Sequence, residues 1–113
     1  MRIFITGGSG FIGQRIVNFL LENGDTPIVF SRNPRLTHEQ IQAGAQKVTG
    51  DIRIFSDLLH FLSNNHVDGI IHLASILKTQ SESNPLFAQQ VNVMGGSYVF
   101  EAARLNNIPR IVV

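Results

Sequence analysis

No cysteine occurs among the 113 residues, which excludes disulfides, thiolate metal sites and a thiol nucleophile in this stretch and agrees with a reducing compartment. Neither sign of charge dominates: nine Lys and Arg face eight Asp and Glu, and the basic residues are scattered. The electrostatic footprint that nucleic acid or an anionic membrane surface requires is therefore missing. Long hydrophobic runs are missing too. The opening Met1-Arg2-Ile3-Phe4-Ile5-Thr6 meets glycine at once, far short of a signal-peptide core or a membrane span. There are no repeats, low-complexity tracts or linkers, and His38, His60 and His66 show no metal-ligand spacing. What remains is a globular protein of single-domain size, expected to be soluble and cytoplasmic, with no nucleic-acid or membrane partner.

Apolar runs of strand length alternate with segments of helical period, the pattern of repeated βαβ units. Strands are predicted at Arg2 to Thr6, Pro27 to Ser31, Gln46 to Thr49, Gly69 to Leu73 and Arg110 to Val113. A first helix is predicted from Gly10 to Asn23, with Phe11, Ile12, Ile16, Phe19 and Leu20 on its inward face and Gly24 as its stop. Thr37 and Gln40 have the spacing of a capping box for a short helix to Ala43, which Gly44 ends. Asp57 to Asn64 and Phe87 to Asn106 complete the helices. The expected fold is α/β: a Rossmann-type doubly wound parallel sheet in a three-layer α/β/α sandwich. The last strand, Ile111-Val112-Val113, reads as a buried strand with no helix after it, so the domain is expected to be incomplete beyond its fifth strand.

Directly after the first strand come Gly7, Gly10 and Gly13, and a helix follows. In a dinucleotide-binding turn the first glycine permits the sharp exit from the strand. The second lets the backbone approach a pyrophosphate, and the third lets the helix pack closely. The helix start at Phe11, Ile12 and Gly13 would then face the phosphates with unpaired N–H groups. A nucleoside-triphosphate loop needs Lys followed by Ser or Thr after its last glycine. Here Gln14 and Arg15 follow, and that reading fails.

An acidic residue about 20 positions beyond such a turn binds the adenosine ribose of NAD, whereas arginine suits the phosphate of NADP. That position holds Ser31, and Arg32 follows it. A hydroxyl and a guanidinium favour NADP over NAD, the alternative being that Arg32 is only a solvated loop residue.

With these residues in view, the whole chain resembles the NAD-dependent epimerase/dehydratase family, the extended short-chain dehydrogenases. Thr6 to Gly13 matches its Thr-Gly-x-x-Gly-x-x-Gly turn, and Gly50-Asp51-Ile52-Arg53 is similar to its Gly-Asp-hydrophobic-Arg motif. The resemblance implies that Asp51 bonds the adenine amino group with Ile52 beside it; the plainer alternative is a carboxylate that orients its loop. Asp68 to Ser75 is similar to the family's fourth strand, which implies that Leu73, Ala74 and Ser75 line the dinucleotide path. His72 invites a catalytic reading, but in the family this histidine belongs to the sheet. Val91 to Gly96 and Glu101-Ala102-Ala103 resemble the family's Asn-Val-x-Gly-Thr helix, in which Asn92 would fix backbone geometry and Gly95 allow close packing. Gly96 departs from the usual threonine, and Ile54 stands where an aspartate often follows the arginine.

The family's chemistry uses a Ser or Thr after the fifth strand and a Tyr-x-x-x-Lys pair. The only tyrosine, Tyr98, has Ala102 four positions on, so this chain is expected to bind part of a cofactor and to contain no catalytic residue. By resemblance the parent would be an epimerase, dehydratase or reductase acting on a nucleotide sugar, with its long fourth helix in a homodimer interface. A non-catalytic NADP-binding sensor on the same fold is the other reading left open.

Overall fold

The computed structural model describes residues 1–8, 10–73 and 83–113. Strands β1 (Arg2–Thr6), β2 (Thr26–Ser31), β3 (Gln46–Thr49), β4 (Gly69–His72) and β5 (Ile111–Val112) form one parallel sheet in the order β3-β2-β1-β4-β5. The chain runs outward from β1 to β3 and then returns to place β4 on the other side of β1. That reversal opens a crevice at the carboxyl ends of the strands, where ligands of open α/β sheets bind.

Helices cover both faces of the sheet, so β1 has an apolar residue at every interior position. Phe4 packs on one face with Phe30, Leu58, Ile70 and Val99, its ring centroid 5.3 Å from that of Phe30. Ile3 and Ile5 turn to the other face, against Val17, Leu20 and Val29.

The helices are α1 (Phe11–Glu22), α2 (His38–Gln42), α3 (Phe55–Asn64), α4 (Pro85–Gln89) and α5 (Gly95–Leu105). The capping box of α2 is present as expected, with Thr37 and Gln40 bonded reciprocally. Three expectations need correction. First, the inward stripe of α1 is Gly13, Val17 and Leu20, whereas Phe11, Ile12 and Phe19 are 78%, 64% and 63% exposed. The helix is set down by its smallest residue, and that rotation carries its largest side chains outward.

Second, Phe87 to Asn106 is not one α-helix. Asn84 caps the start by accepting the Phe87 N–H at 3.2 Å, with Pro85 in the first turn, and a π-helical segment (Gln90–Met94) joins α4 to α5. Third, β5 is only two residues long and lies at the sheet edge, where Val112 and Val113 are exposed rather than buried. Among the described residues no helix is long and apolar enough to cross a membrane.

Candidate functional site

Where β1 ends, Gly7 takes φ +79°, a left-handed conformation that turns the chain out of the strand. A Cβ on Gly13 would lie 2.5 Å from the Cα of Gly8 and 2.6 Å from the carbonyl oxygen of Gly7. The helix thus rests on the backbone of the turn itself, not on the sheet as such packing is usually described. Gly10 differs: among the described residues the nearest atom to a Cβ there would be the Gly7 oxygen at 3.7 Å, so they leave room beside it. Gly10 is also the N-cap of α1 and supplies no side-chain cap, and the first turn holds no acidic residue. The N–H groups at Phe11, Ile12 and Gly13, which have no intrahelical acceptor, and the positive end of the helix dipole are left for an outside anion.

Beside this turn lies a cleft of about 200 Å3 built on the carboxyl ends of three neighbouring strands. Thr6 and Gly7 come from β1, Phe30, Ser31 and Arg32 from β2, and Gly50, Asp51 and Ile52 from the end of β3. Phe87 and Val91, from α4 and the π-helical segment, close its side. Largely apolar walls with a few polar groups are what a small-molecule site requires.

The Asp51 carboxylate accepts the Arg53 Nε at 3.0 Å, the Arg53 Nη2 at 2.6 Å and the Arg53 backbone N–H at 2.9 Å. The hydrogen bonds from Arg53 hold its carboxyl below the usual carboxylate range, and the charge of Arg32 acts in the same direction. The backbone N–H of Asp51 in turn donates to the Asp57 carboxylate at 2.9 Å. Asp57 sits in the first turn of α3, whose N-cap, Ile54, contributes no side-chain bond. Arg32 is exposed and, among the described residues, makes no ion pair. Its guanidinium lies 5.2 Å from the centre of the Phe87 ring, and that of Arg53 lies 4.8 Å from the same ring. Ser31 turns its hydroxyl to the Asn33 N–H at 3.2 Å, so the end of β2 presents no carboxylate to the cleft.

His72 is the register partner of Thr6 in the β1–β4 ladder, with its Nδ1 2.6 Å from the threonine hydroxyl. Burial pushes the imidazole below its ordinary pKa, which favours the neutral ring. This partner is a hydroxyl of the sheet, and among the described residues no carboxylate bonds the ring to orient a general base.

The cleft therefore brings together Gly7, Ser31, Arg32, Asp51 and Ile52. Gly10, Phe11, Ile12 and Gly13 flank it along the turn and helix start, with the exposed Phe11 ring 5.5 Å from the Arg15 guanidinium. Leu73 does not line the cleft: it packs on the second core cluster, and its N–H reaches Thr6. Ala74 and Ser75 lie outside the described residues. Phe87, Val91 and Asp57 were not foreseen at this site. The one local signal for Phe87 was Asn84-Pro85, a cap and first-turn pair that starts the helix two residues earlier and places Phe87 on its first turn.

Comparison with known proteins accords with this geometry. A model of the NAD dependent epimerase/dehydratase family matches residues 3–113. The chain is 33% identical to a putative UDP-glucose 4-epimerase of Methanocaldococcus jannaschii, over 97% of this chain and 36% of that protein. It is 32% identical to a CDP-paratose 2-epimerase of Salmonella typhi, over 95% of this chain and 34% of that protein. Among solved structures, a Thermus thermophilus UDP-glucose 4-epimerase in complex with NAD superposes with a TM-score of 0.85 at 27% identity. That match covers 98% of this chain and 36% of the other. The chain thus spans about a third of the length of the relatives it matches.

Proposed function

From the premise that this chain belongs to the NAD dependent epimerase/dehydratase family, we propose that it is the dinucleotide-binding portion of an NADP-preferring enzyme. That enzyme would act on a nucleotide sugar as an epimerase, dehydratase or reductase. The observation that carries the cofactor preference is the end of β2, where the cleft is met by Ser31 and the cation Arg32 and by no carboxylate. The 2′-phosphate of NADP would be held there by charge-assisted hydrogen bonds, which a carboxylate would oppose by repulsion.

The remaining roles are assigned from the family resemblance together with the turn and cleft described above. The open side of Gly10 and the N–H groups of Phe11, Ile12 and Gly13 receive the pyrophosphate. Asp51 accepts the adenine amino group. Arg53 already places two hydrogen bonds on each Asp51 oxygen, so the amino group would displace the longest of them, the 3.2 Å bond from Nε. Ile52 forms the apolar wall, and by resemblance Leu73, Ala74 and Ser75 would follow the dinucleotide beyond the cleft toward its nicotinamide. When bound, the nicotinamide supplies the hydride acceptor and donor for the sugar carbon.

Tyr98 is no acid/base candidate: its ring packs against Phe55 at 5.4 Å, and the lysine four residues on is absent. The groups that move protons would therefore come from sequence outside these residues. Val93 and Phe100, 57% and 49% exposed, would be apolar contacts of a homodimer of this cytoplasmic enzyme, and sedimentation of the full-length protein tests the dimer.

Calorimetric titration of the full-length protein with NADP and with NAD tests the main reading. NADP should bind at least about tenfold more tightly, a difference of ~1.4 kcal/mol, and Arg32→Ala should remove most of that difference. Equal affinities in the wild type would refute the NADP preference, and no binding of either would refute the site.

A further inference from the structure

Phe87 stands outside every motif that marks the cofactor site, yet two guanidiniums, of Arg32 and Arg53, lie within 5.2 Å of its ring centre at the wall of the cleft. The two cations are not equivalent. Arg53 is neutralised by its paired contacts to Asp51, whereas Arg32 makes no ion pair among the described residues and is exposed. An exposed arginine ordinarily samples many rotamers, and ordering it on ligand binding costs affinity. A guanidinium seated over an aromatic face gives up part of that freedom in advance.

Phe87 is itself fixed. Its N–H is bonded by the Asn84 cap at 3.2 Å, and it is the half-buried member of α4 that packs on the core beneath.

We propose that Phe87 is the positioning residue that selects a 2′-phosphorylated adenosine, acting through Arg32, whose guanidinium its ring holds at the mouth of the cleft. This rests on the reading that Arg32 meets the 2′-phosphate. The N–H groups of Arg32 point outward in the plane of the guanidinium, so seating its π surface on Phe87 leaves these donors for the phosphate. A ligand lacking that phosphate gains nothing from the ordering.

The test uses the full-length protein, with 2′,5′-ADP and 5′-AMP as probes. Phe87→Leu should weaken 2′,5′-ADP roughly two- to five-fold more than it weakens 5′-AMP, the scale of one exposed cation–π contact. Phe87→Tyr, which keeps an aromatic face, should retain wild-type selectivity. In an Arg32→Ala background Phe87→Leu should cost no further selectivity for 2′,5′-ADP, because the two residues act as one unit. Equal weakening of both ligands would make Phe87 a plain wall of the adenine pocket and overturn the proposal. So would undiminished 2′,5′-ADP binding by Phe87→Leu, while the NADP reading survived either result. A wild type that binds 5′-AMP as tightly as 2′,5′-ADP would instead remove the NADP reading and this inference with it. Should Phe87→Leu unfold, Phe87→Tyr and Phe87→Met, compared on the same two ligands, carry the same test: selectivity kept by Tyr and lost by Met supports it, and selectivity kept by both overturns it.

Discussion

The hydroxyl of Thr6 lies 2.6 Å from Nδ1 of His72 and accepts the Leu73 N–H at 3.2 Å, so one side chain at the end of β1 holds the end of β4. Both residues sit at the switch point of the sheet, and their pairing accounts for a histidine that chemistry alone would have tempted one to make a catalyst.

A pH dependence of stability follows from it. Burial lowers the folded-state pKa of His72 below its ordinary value of 6.5, so the unfolded chain takes up the proton first as pH falls. The contribution of His72 is fully present above about pH 6.5 and is lost as pH falls from there through the lower, folded value. Denaturant unfolding at a series of pH values between neutrality and moderate acid should show this decline, and His72→Asn should flatten that part of the profile.

Gly10 and Gly13 should separate binding from folding. A Cβ at Gly13 collides with turn backbone, which cannot move aside as a flexible side chain would, so Gly13→Ala should cost roughly 1–3 kcal/mol of stability. At Gly10 the nearest contact is an ordinary 3.7 Å, so Gly10→Ala should change stability by less than about 0.5 kcal/mol. Its dinucleotide affinity should nevertheless fall at least about tenfold. Thermal unfolding and calorimetric titration of the two variants check both halves of the expectation.

Asp57 should matter more than its place outside the cleft suggests. Replacing it with alanine leaves the partly buried N–H of Asp51 without its acceptor, a loss of about 1–3 kcal/mol. Asp57→Asn keeps an acceptor oxygen and should recover most of that loss in denaturant titration.

Gly96 offers the opposite sign. It is helical, and among the described residues a Cβ there would meet only Nε2 of His72, at 3.7 Å. Gly96→Ala should stabilise the protein by about 0.5–1 kcal/mol, because glycine loses more backbone entropy in a helix than alanine does. A lower melting temperature would mean that the space beside His72 is less free than it looks.

Much of the architecture was legible from local chemistry. Ile3-Phe4-Ile5 announced a strand buried on both faces, Thr37 and Gln40 announced a capped helix, and Gly7, Gly10 and Gly13 announced the turn. The start of α4 was equally local in Asn84 and Pro85, but the apolar period from Phe87 onward concealed it. The exposed setting of Phe11, Ile12 and Phe19 was not legible, because apolar period specifies that a helix has an inward face without specifying which of two adjacent stripes wins.

By itself, then, the sequence determined the order of strands and helices, the glycine turn and the lack of a carboxylate at the end of β2. Each of these depends on residues a few positions apart, whose backbone preferences act whatever the rest of the chain does. Only the tertiary structure decided that α1 rests on Gly13 and that Asp57 holds the Asp51 loop. It also decided that Thr6 meets His72, and that Phe87 lies beside both Arg32 and Arg53. The pairs farthest apart in the chain, Thr6 with His72 and Arg32 with Phe87, meet because the crossover from β3 to β4 returns the chain to the side of β1. How closely each approaches is then set by the steric fit of packed elements, which no local pattern encodes.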